Sequence, residues 1–162
     1  GLCLTRQNVP TFDRSPSSGL SSAEGVAKGG YVLVEASTGS PQVLLIGTGS
    51  EVQLAVAARQ TLEADGIPTR VISMPCVEWF DAQDQAYRDS VLPPAVRARV
   101  AVEAAVPLSW YRFVGDAGEI VGLDHFGASA AYTIVYEKFG ITAEHVARAA
   151  RNSLASVDAA TE

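Results

Sequence analysis

Two side chains that could bind substrate or take part in chemistry stand next to apolar runs. Arg6 follows the apolar run at residues 2–4, and a guanidinium can grip two phosphate oxygens at once. Taken alone, a single arginine of this kind is usually solvated or in a surface ion pair. Glu103 lies in VAVEAAV, near the end of a predicted strand, where open α/β sheets place functional groups. A buried carboxylate needs partners, and we expect a structural acid bonded to a loop, to Trp110 or to Tyr111.

The segment GTGSEV, which begins at Gly47, could bring backbone N–H groups to a phosphate because it follows an apolar strand. A dinucleotide fingerprint needs a third glycine, and Val52 occupies that position. The next strand ends in Met74 and Pro75, where a ribose-binding acid would be required. We therefore interpret the segment as a capped strand-to-helix turn.

A hydrolase set could be drawn from Ser50, Asp124 and His125. The nucleophile elbow requires G-x-S-x-G, but Val52 replaces the second glycine. Asp124 and His125 are neighbours in sequence and poorly placed for the bond that orients the imidazole. His145, in the first turn of the last predicted helix, is interpreted as a surface histidine.

Residues 43–75 are predicted to form a strand, a helix and a second, parallel strand. Val43–Ile46 is the continuous apolar run of a strand covered on both faces. Ser50 is placed to cap the helix, with Gln53 at the capping-box spacing. Thr69–Met74 is the second strand, and this βαβ unit is the centre of the predicted fold.

Further elements flank this unit. The predicted strands are Tyr31–Glu35, Ala98–Ala105 and Glu119–Leu123, and the predicted helices are Asp81–Leu92, one capped by Ser129 and stopped by Gly140, and one from Thr142 to about Leu154. The connection between the first two strands is too short for a crossover helix, so the first strand should be antiparallel and at an edge. The sequence predicts an α/β, three-layer fold with a five-stranded, mostly parallel mixed sheet, one antiparallel edge strand and helices on both faces.

Composition excludes several classes of protein. The chain has 162 residues, 48% hydrophobic and 19% charged, without an apolar run of membrane-spanning length. Its net charge of −6 opposes nucleic-acid binding. No signal-peptide pattern stands at the N-terminus. Cys3 and Cys76 have no CxxC or His partner in the sequence, so we expect them to be reduced thiols of a cytoplasmic protein.

The chain is predicted to divide into four segments. Residues 1–10 resemble the end of a preceding domain, and the Ser-, Pro- and Gly-rich residues 11–30 form a surface linker in which ordered packing is doubtful. Residues 31–155 form the α/β domain. Residues 156–162 form a polar tail that should fray.

Several blocks resemble the carboxyl-terminal part of transketolase in their order and spacing. They are LTRQNVP, AKGGYVL, VLLIGTGSEVQLAVAA, TRVISMPC, DAQDQAYRDSVLP, RVAVEAA and FGASA, and together they cover residues 2–154. The chain departs from the family at Ala131, where a proline is more common. Residues 1–10 correspond to the last residues of the family's pyrimidine-binding domain.

The resemblance implies a cytoplasmic transferase that moves a two-carbon ketol unit from a ketose phosphate to an aldose phosphate in the pentose phosphate pathway. It implies thiamine diphosphate and a divalent cation (Mg or Ca) in the parent enzyme, held by the other domains, so the fragment should bind neither and be inactive alone. It implies a homodimer. Arg6 matches the family arginine that helps to hold the substrate phosphate, and no catalytic, cofactor-binding or metal-binding residue is expected here.

Two alternatives remain open from the sequence. One is a regulatory metabolite-binding module that uses helix N-termini at Ser50, Asp81 or Ser129. The other is the equivalent domain of a related thiamine-dependent enzyme, such as deoxyxylulose phosphate synthase.

The predicted linker can be tested by limited proteolysis. We expect proteases to cut within residues 11–30 and to leave a resistant core that begins near Tyr31, because loop segments are cleaved before packed ones. Mass spectrometry of the products gives the cleavage sites. Early cleavage inside residues 43–74 would contradict the boundary.

Overall fold

A computed structural model of the chain describes residue 1 and residues 4–160, and its centre is a five-stranded sheet in the order β1-β3-β2-β4-β5. The strands are β1 (Tyr31–Val34), β2 (Val43–Gly47), β3 (Thr69–Ser73), β4 (Arg99–Val102) and β5 (Glu119–Val121). β1 pairs antiparallel with β3 at one edge, and all other pairings are parallel. The predicted sheet is confirmed.

Six α-helices accompany the sheet in the described part of the chain. They are α1 (Val52–Ala64), α2 (Val77–Asp81), α3 (Gln85–Val91), α4 (Tyr111–Val114), α5 (Tyr132–Phe139) and α6 (Ala143–Ala159). Short 3₁₀ turns occupy Ala23–Lys28, Gly49–Glu51 and Pro107–Trp110. None of the described helices is both long and apolar enough to cross a bilayer.

Alternating side chains of the strands form two cores, one on each face of the sheet. Val43 and Leu45 of β2 face α1 and α6, where Leu62 and Val146 are fully buried. Leu44 and Ile46 face the other way, into the core completed by α2, α3 and α4. The predicted three-layer arrangement is confirmed.

The start of α1 differs from the prediction. Thr48 precedes a 3₁₀ turn, Glu51 is the N-cap of α1, and Ser50 caps neither helix. Gly49 has φ +55, and the turn it begins places Ser50 inside a helical turn, where its hydroxyl donates to Glu51. Gln53 contacts the carbonyl of Ser50 through its side-chain amide, and it does not complete a capping box.

Two other predicted helix starts are also wrong. The predicted helix Asp81–Leu92 is two helices: Asp81 ends α2, and Asp84 caps α3 by accepting from the N–H of Tyr87 at 2.7 Å. Ser129 lies before α5, whose N-cap is Ala131 and has no side-chain cap. Asp81 therefore does not begin a helix, and neither Ser50 nor Ser129 is a cap; the alternative of a metabolite site at helix N-termini stays a hypothesis.

The end of α5 and the start of α6 lie where they were predicted, but α6 ends later than predicted. Thr142 caps α6 by accepting from the N–H of His145, and Gly140 ends α5 at φ +71, as predicted. α6 continues to Ala159, beyond the expected end near Leu154, because Val157 packs against the core. The remaining predicted tail residues, 161 and 162, lie outside the described residues, as do 2 and 3 of the predicted N-terminal strand.

Residues 11–30 pack on the domain more closely than their composition indicated. Phe12 and Leu20 contact the core, and Arg14 donates to the carbonyl of Ser21 at 2.6 Å. Gly29 has φ +80, and a Cβ there would lie 2.3 Å from the carbonyl oxygen of Cys76. Single apolar residues among Ser, Pro and Gly give no periodic signal, so this packing could not be expected. The division of the chain into four segments remains a prediction.

A half-buried ion pair holds the end of β1 at the edge of the sheet: the side chain of Arg70 is 10% exposed and that of Glu35 is 42% exposed. Arg70 of β3 donates to both carboxylate oxygens of Glu35, at 2.9 and 2.7 Å, and to the carbonyls of Ser90 and Val91. Desolvation alone would raise the pKa of Glu35, but the hydrogen bonds and the charge of Arg70 lower it overall. The pair thus joins β1 and β3 to the end of α3.

We expect Arg70→Leu to lower the free energy of unfolding by about 1–3 kcal/mol, because it leaves two backbone carbonyls without their donor, whereas water can solvate the half-exposed carboxylate of Glu35. Since Glu35 has a lowered pKa when folded, its contribution exists above its ordinary value of 4.5 and is lost as the pH falls through the folded value. Denaturant unfolding at several pH values should show less acid dependence in the variant.

The matched control is Arg97→Leu, because Arg97 forms an exposed pair with Asp116. Its cost should be roughly 0–1 kcal/mol. Equal losses for the two variants would contradict the role given to Arg70.

Candidate functional site

The carboxyl ends of β2, β3 and β4 form the edge of the sheet at which a site is expected. The chain goes from β2 to β3 on one side and then returns to β4 on the other side of β2. Such a reversal leaves a crevice outside the strand ends, which is where open α/β sheets bind ligands. The loops that follow β2 and β4 carry Glu51 and Glu103 to this edge.

Glu51 is the most buried carboxylate at this edge, with 5% of its surface exposed. Its Oε1 accepts from the phenol of Tyr136 at 2.6 Å and from the hydroxyl of Ser50. Its Oε2 accepts from the backbone N–H of Ala104 at 3.3 Å. These neutral donors compensate for the loss of water around the carboxylate.

Tyr136 of α5 connects this carboxylate to the N-terminal arm, which we define as residues 4–10. Burial, followed by the hydrogen bond to Glu51, raises the pKa of Tyr136, so the phenol keeps its proton. The phenol oxygen accepts from the side-chain amide nitrogen of Gln7 at 3.3 Å. The other amide atom, Oε1 of Gln7, is buried without a hydrogen-bond partner.

Arg6 lies in the arm beside Gln7 and is exposed. It takes part in none of the ion pairs found among the described residues. A guanidinium in this state is free to bind an anion from solution. Its predicted role in holding a substrate phosphate remains a prediction.

Glu103 has the structural partner that its position predicts. Its Oε2 accepts from the indole N–H of Trp110 at 2.6 Å, and Trp110 is 3% exposed. Trp110 packs against Phe113 in the core, with ring centroids 5.8 Å apart. The carboxylate thus satisfies a buried donor.

The hydrolase residues are not assembled into a catalytic set. The hydroxyl of Ser50 is bonded to Glu51, whereas Nδ1 of His125 contacts the carbonyl of Phe126 at 2.8 Å in an exposed loop. His145 is half-buried, with Nδ1 2.8 Å from the hydroxyl of Thr142, and is therefore not a free surface histidine.

The residues described also do not fit a dinucleotide or a metal ion. The buried carboxylate of Glu51 stands at the start of α1, where its charge opposes a pyrophosphate. Within residues 4–160, no group of three or more His, Cys, Asp or Glu side chains could hold a metal. Cys76 is a half-buried free thiol, 3.6 Å from Glu78, and Cys3 lies outside the described residues.

Comparison with known proteins decides the family. The family model described as a transketolase-like C-terminal domain matches residues 29–142. The chain belongs to the transketolase C-terminal domain family.

Relatives and solved structures agree with this membership. The transketolase of Mycobacterium tuberculosis is 54% identical over 158 residues, covering 95% of this chain and 22% of the relative. Transketolase 1 of Escherichia coli is 47% identical over 153 residues, with shares of 94% and 22%. A crystal structure of a Pichia stipitis transketolase mutant superposes with a TM-score of 0.82 at 35% identity, covering 95% of this chain and 21% of that one. This transketolase domain therefore spans about a fifth of the relatives' length.

Sequence reasoning missed the connection among Glu51, Tyr136 and Gln7. Glu51 appears in the sequence as one acid in the first turn of a helix, and Tyr136 as one apolar position of an amphipathic helix. The sequence separations of the two hydrogen bonds are 85 and 129 residues. No local sequence pattern predicts contacts between residues so far apart. The position of Glu51, directly after a buried strand and a glycine turn, was the one feature that could have marked it as a functional acid.

The structural role of Glu103 is testable in the transketolase domain. We expect Glu103→Ala to lower the free energy of unfolding by about 1–3 kcal/mol, because the buried indole N–H of Trp110 loses its acceptor. Glu103→Gln keeps an acceptor and should cost less than about half as much. Denaturant unfolding measures both, and an unchanged stability of Glu103→Ala would contradict the assignment.

Proposed function

We propose that this chain is the carboxyl-terminal part of an enzyme that transfers a two-carbon ketol unit from a ketose phosphate to an aldose phosphate, with Arg6 binding the substrate phosphate. Membership of the transketolase C-terminal domain family carries the proposal. One related structure is a Pichia stipitis transketolase in complex with sedoheptulose 7-phosphate, at 34% identity and a TM-score of 0.82.

The chemistry of Arg6 suits a phosphate. Its guanidinium is exposed and without an ion-pair partner among the described residues. It can donate two parallel hydrogen bonds to phosphate oxygens and keeps its charge at every working pH. Because the net charge of the chain is −6, a phosphate must be attracted by a local cation and not by the general field.

Catalysis in the proposed enzyme depends on groups outside this chain. The parent would use thiamine diphosphate and a divalent cation, and no metal-ligand cluster is present in residues 4–160 to bind that cation. We assign no step of the reaction to these residues beyond positioning of the substrate. The isolated chain should therefore not transfer ketol units.

The remaining domains of the enzyme are the proposed partners of this one, within a cytoplasmic homodimer. Large apolar side chains are exposed beside the carboxyl edge: Phe126 is 98% exposed, and Val106 and Leu108 are mostly exposed. Val106 and Phe126 line the same surface pocket, and contiguous exposed apolar surface is typical of a site of protein contact. They support contact with further protein at this edge.

In the full-length enzyme, we expect Arg6→Ala to raise KM for phosphorylated substrates by roughly 10–100-fold, the value of a charge-assisted hydrogen-bonded contact. Unphosphorylated ketoses and aldoses should be affected much less, because they have no group for Arg6 to bind. Arg6→Lys should keep part of the effect, since it retains the charge but not the bidentate geometry.

Steady-state kinetics with matched phosphorylated and unphosphorylated substrates measures the difference. Equal losses for both classes would remove the phosphate role. Arg14→Ala serves as the control, because Arg14 is bonded within the domain to Ser21 and Tyr31.

A further inference from the structure

A continuous chain of hydrogen bonds runs from the sheet to the segment that carries Arg6. Glu51 accepts from Tyr136 at 2.6 Å, and Tyr136 accepts from Gln7 at 3.3 Å. The three residues come from the turn after β2, from α5 and from the arm. We call these two hydrogen bonds and the three residues that form them the arm latch.

The sheet end of the arm latch is rigid. Glu51 is buried and is held in addition by Ser50 and by the backbone of Ala104, which follows β4. Its carboxylate can only accept, so Tyr136 must donate its one proton to it. The phenol oxygen is then left to accept, and donation to a carboxylate makes it a better acceptor.

The arm end of the arm latch is the weaker end. Because the phenol proton is committed to Glu51, Gln7 must turn its amide N–H toward Tyr136. Its Oε1 is then buried without a partner, which costs free energy and limits the strength of the contact. The arm is therefore held by a contact that can open locally without unfolding the domain.

Fixing Gln7 restricts Arg6. Consecutive Cα atoms are about 3.8 Å apart, so an anchored residue confines its neighbour to a small volume. Misplacement of a binding group by about 1 Å can cost roughly 100-fold in rate. The exposed guanidinium of Arg6 has no ion pair of its own among residues 4–160 to fix it.

We propose that Glu51, Tyr136 and Gln7 are positioning residues that hold Arg6 where it meets the substrate phosphate. This inference rests on the proposed function of Arg6. It adds that recognition of the phosphate depends on a buried carboxylate at the carboxyl end of β2. The arm latch would make α5 and the 3₁₀ turn before α1 part of the specificity for phosphorylated substrates.

The first experiment tests the arm latch in this chain, without substrate. Trypsin must extract several residues around the Arg6–Gln7 bond, so an anchored Gln7 slows cleavage there. Tyr136→Phe removes the phenol and should increase the cleavage rate at this bond by roughly three- to tenfold, the value of one hydrogen bond. Mass spectrometry follows the product, and cleavage after Arg14 provides an internal reference.

Tyr132→Phe is the matched control. Tyr132 lies one turn earlier in α5, is exposed, and stacks edge-on against Tyr136 with centroids 5.8 Å apart. Its loss of a hydroxyl should leave cleavage at Arg6–Gln7 unchanged. If Tyr136→Phe behaves like Tyr132→Phe, the arm latch does not hold the arm and the inference is overturned.

The second experiment uses the full-length enzyme. Tyr136→Phe and Gln7→Met should each raise KM for phosphorylated substrates by roughly three- to tenfold, with a smaller change for unphosphorylated ones. Gln7→Met keeps the volume of the side chain and does not touch the core, so it separates positioning from folding. In the Arg6→Ala background, neither change should further reduce the preference for phosphorylated substrates.

The outcomes distinguish the two proposals. If Arg6→Ala raises KM equally for phosphorylated and unphosphorylated substrates but Tyr136→Phe accelerates cleavage, the phosphate role of Arg6 fails, the positioning role fails with it, and the arm latch is only an anchor. If Arg6→Ala raises KM mainly for phosphorylated substrates and the Tyr136 and Gln7 variants do not, the positioning role is overturned.

Discussion

The structure depends on the complete burial of β2, which forces protein onto both faces of the sheet. All five residues of β2, Val43–Gly47, are buried. The strand is hydrogen-bonded to β3 on one side and to β4 on the other. Parallel neighbours require crossovers, and the crossovers supply the helices that cover the two faces. Polar side chains can then stand only where the strands end.

The two ends of the sheet satisfy their carboxylates in different ways. At the amino edge, reached by the antiparallel β1, Glu35 pairs with Arg70 and Glu63 lies 3.4 Å from Arg59. At the carboxyl edge, Glu51 and Glu103 accept from neutral donors, among them Tyr136 and Trp110. At the amino edge, the carboxylates are thus held by ion pairs with arginines. Neither Glu51 nor Glu103 is in an ion pair among the described residues, which is compatible with the proposed role of Arg6 in binding an anion at this edge.

The sequence predicted the strands and helices that depend on local hydrophobic patterns. It failed for features that depend on contacts between residues far apart in the chain. The apolar runs predicted five strands, and the short connection before β2 together with the βαβ unit predicted their directions correctly. The caps at Ser50 and Ser129 were wrong, because the hydroxyl of Ser50 donates to Glu51 and α5 begins at Tyr132 with Ala131, not Ser129, as its N-cap. Glu103 was interpreted correctly because Trp110 is only seven residues away. The burial of Glu51 depends on Tyr136, which no local pattern could connect to it.

The contrast between the rigid edge and the weakly held arm has a physical consequence. A guanidinium fixed inside the domain would have to be desolvated and paired with a carboxylate. Its charge would then not be available to a ligand. In the proposed arm latch, the neutral hydrogen bond from Gln7 to Tyr136 would confine Arg6, which stays exposed and without an ion-pair partner among the described residues. The cost is a local stability close to that of a single contact. If Arg6 binds the phosphate as proposed, it gives up rigidity so that its charge remains available, and the anchoring of Tyr136 by the buried carboxylate of Glu51 would limit how much rigidity is lost.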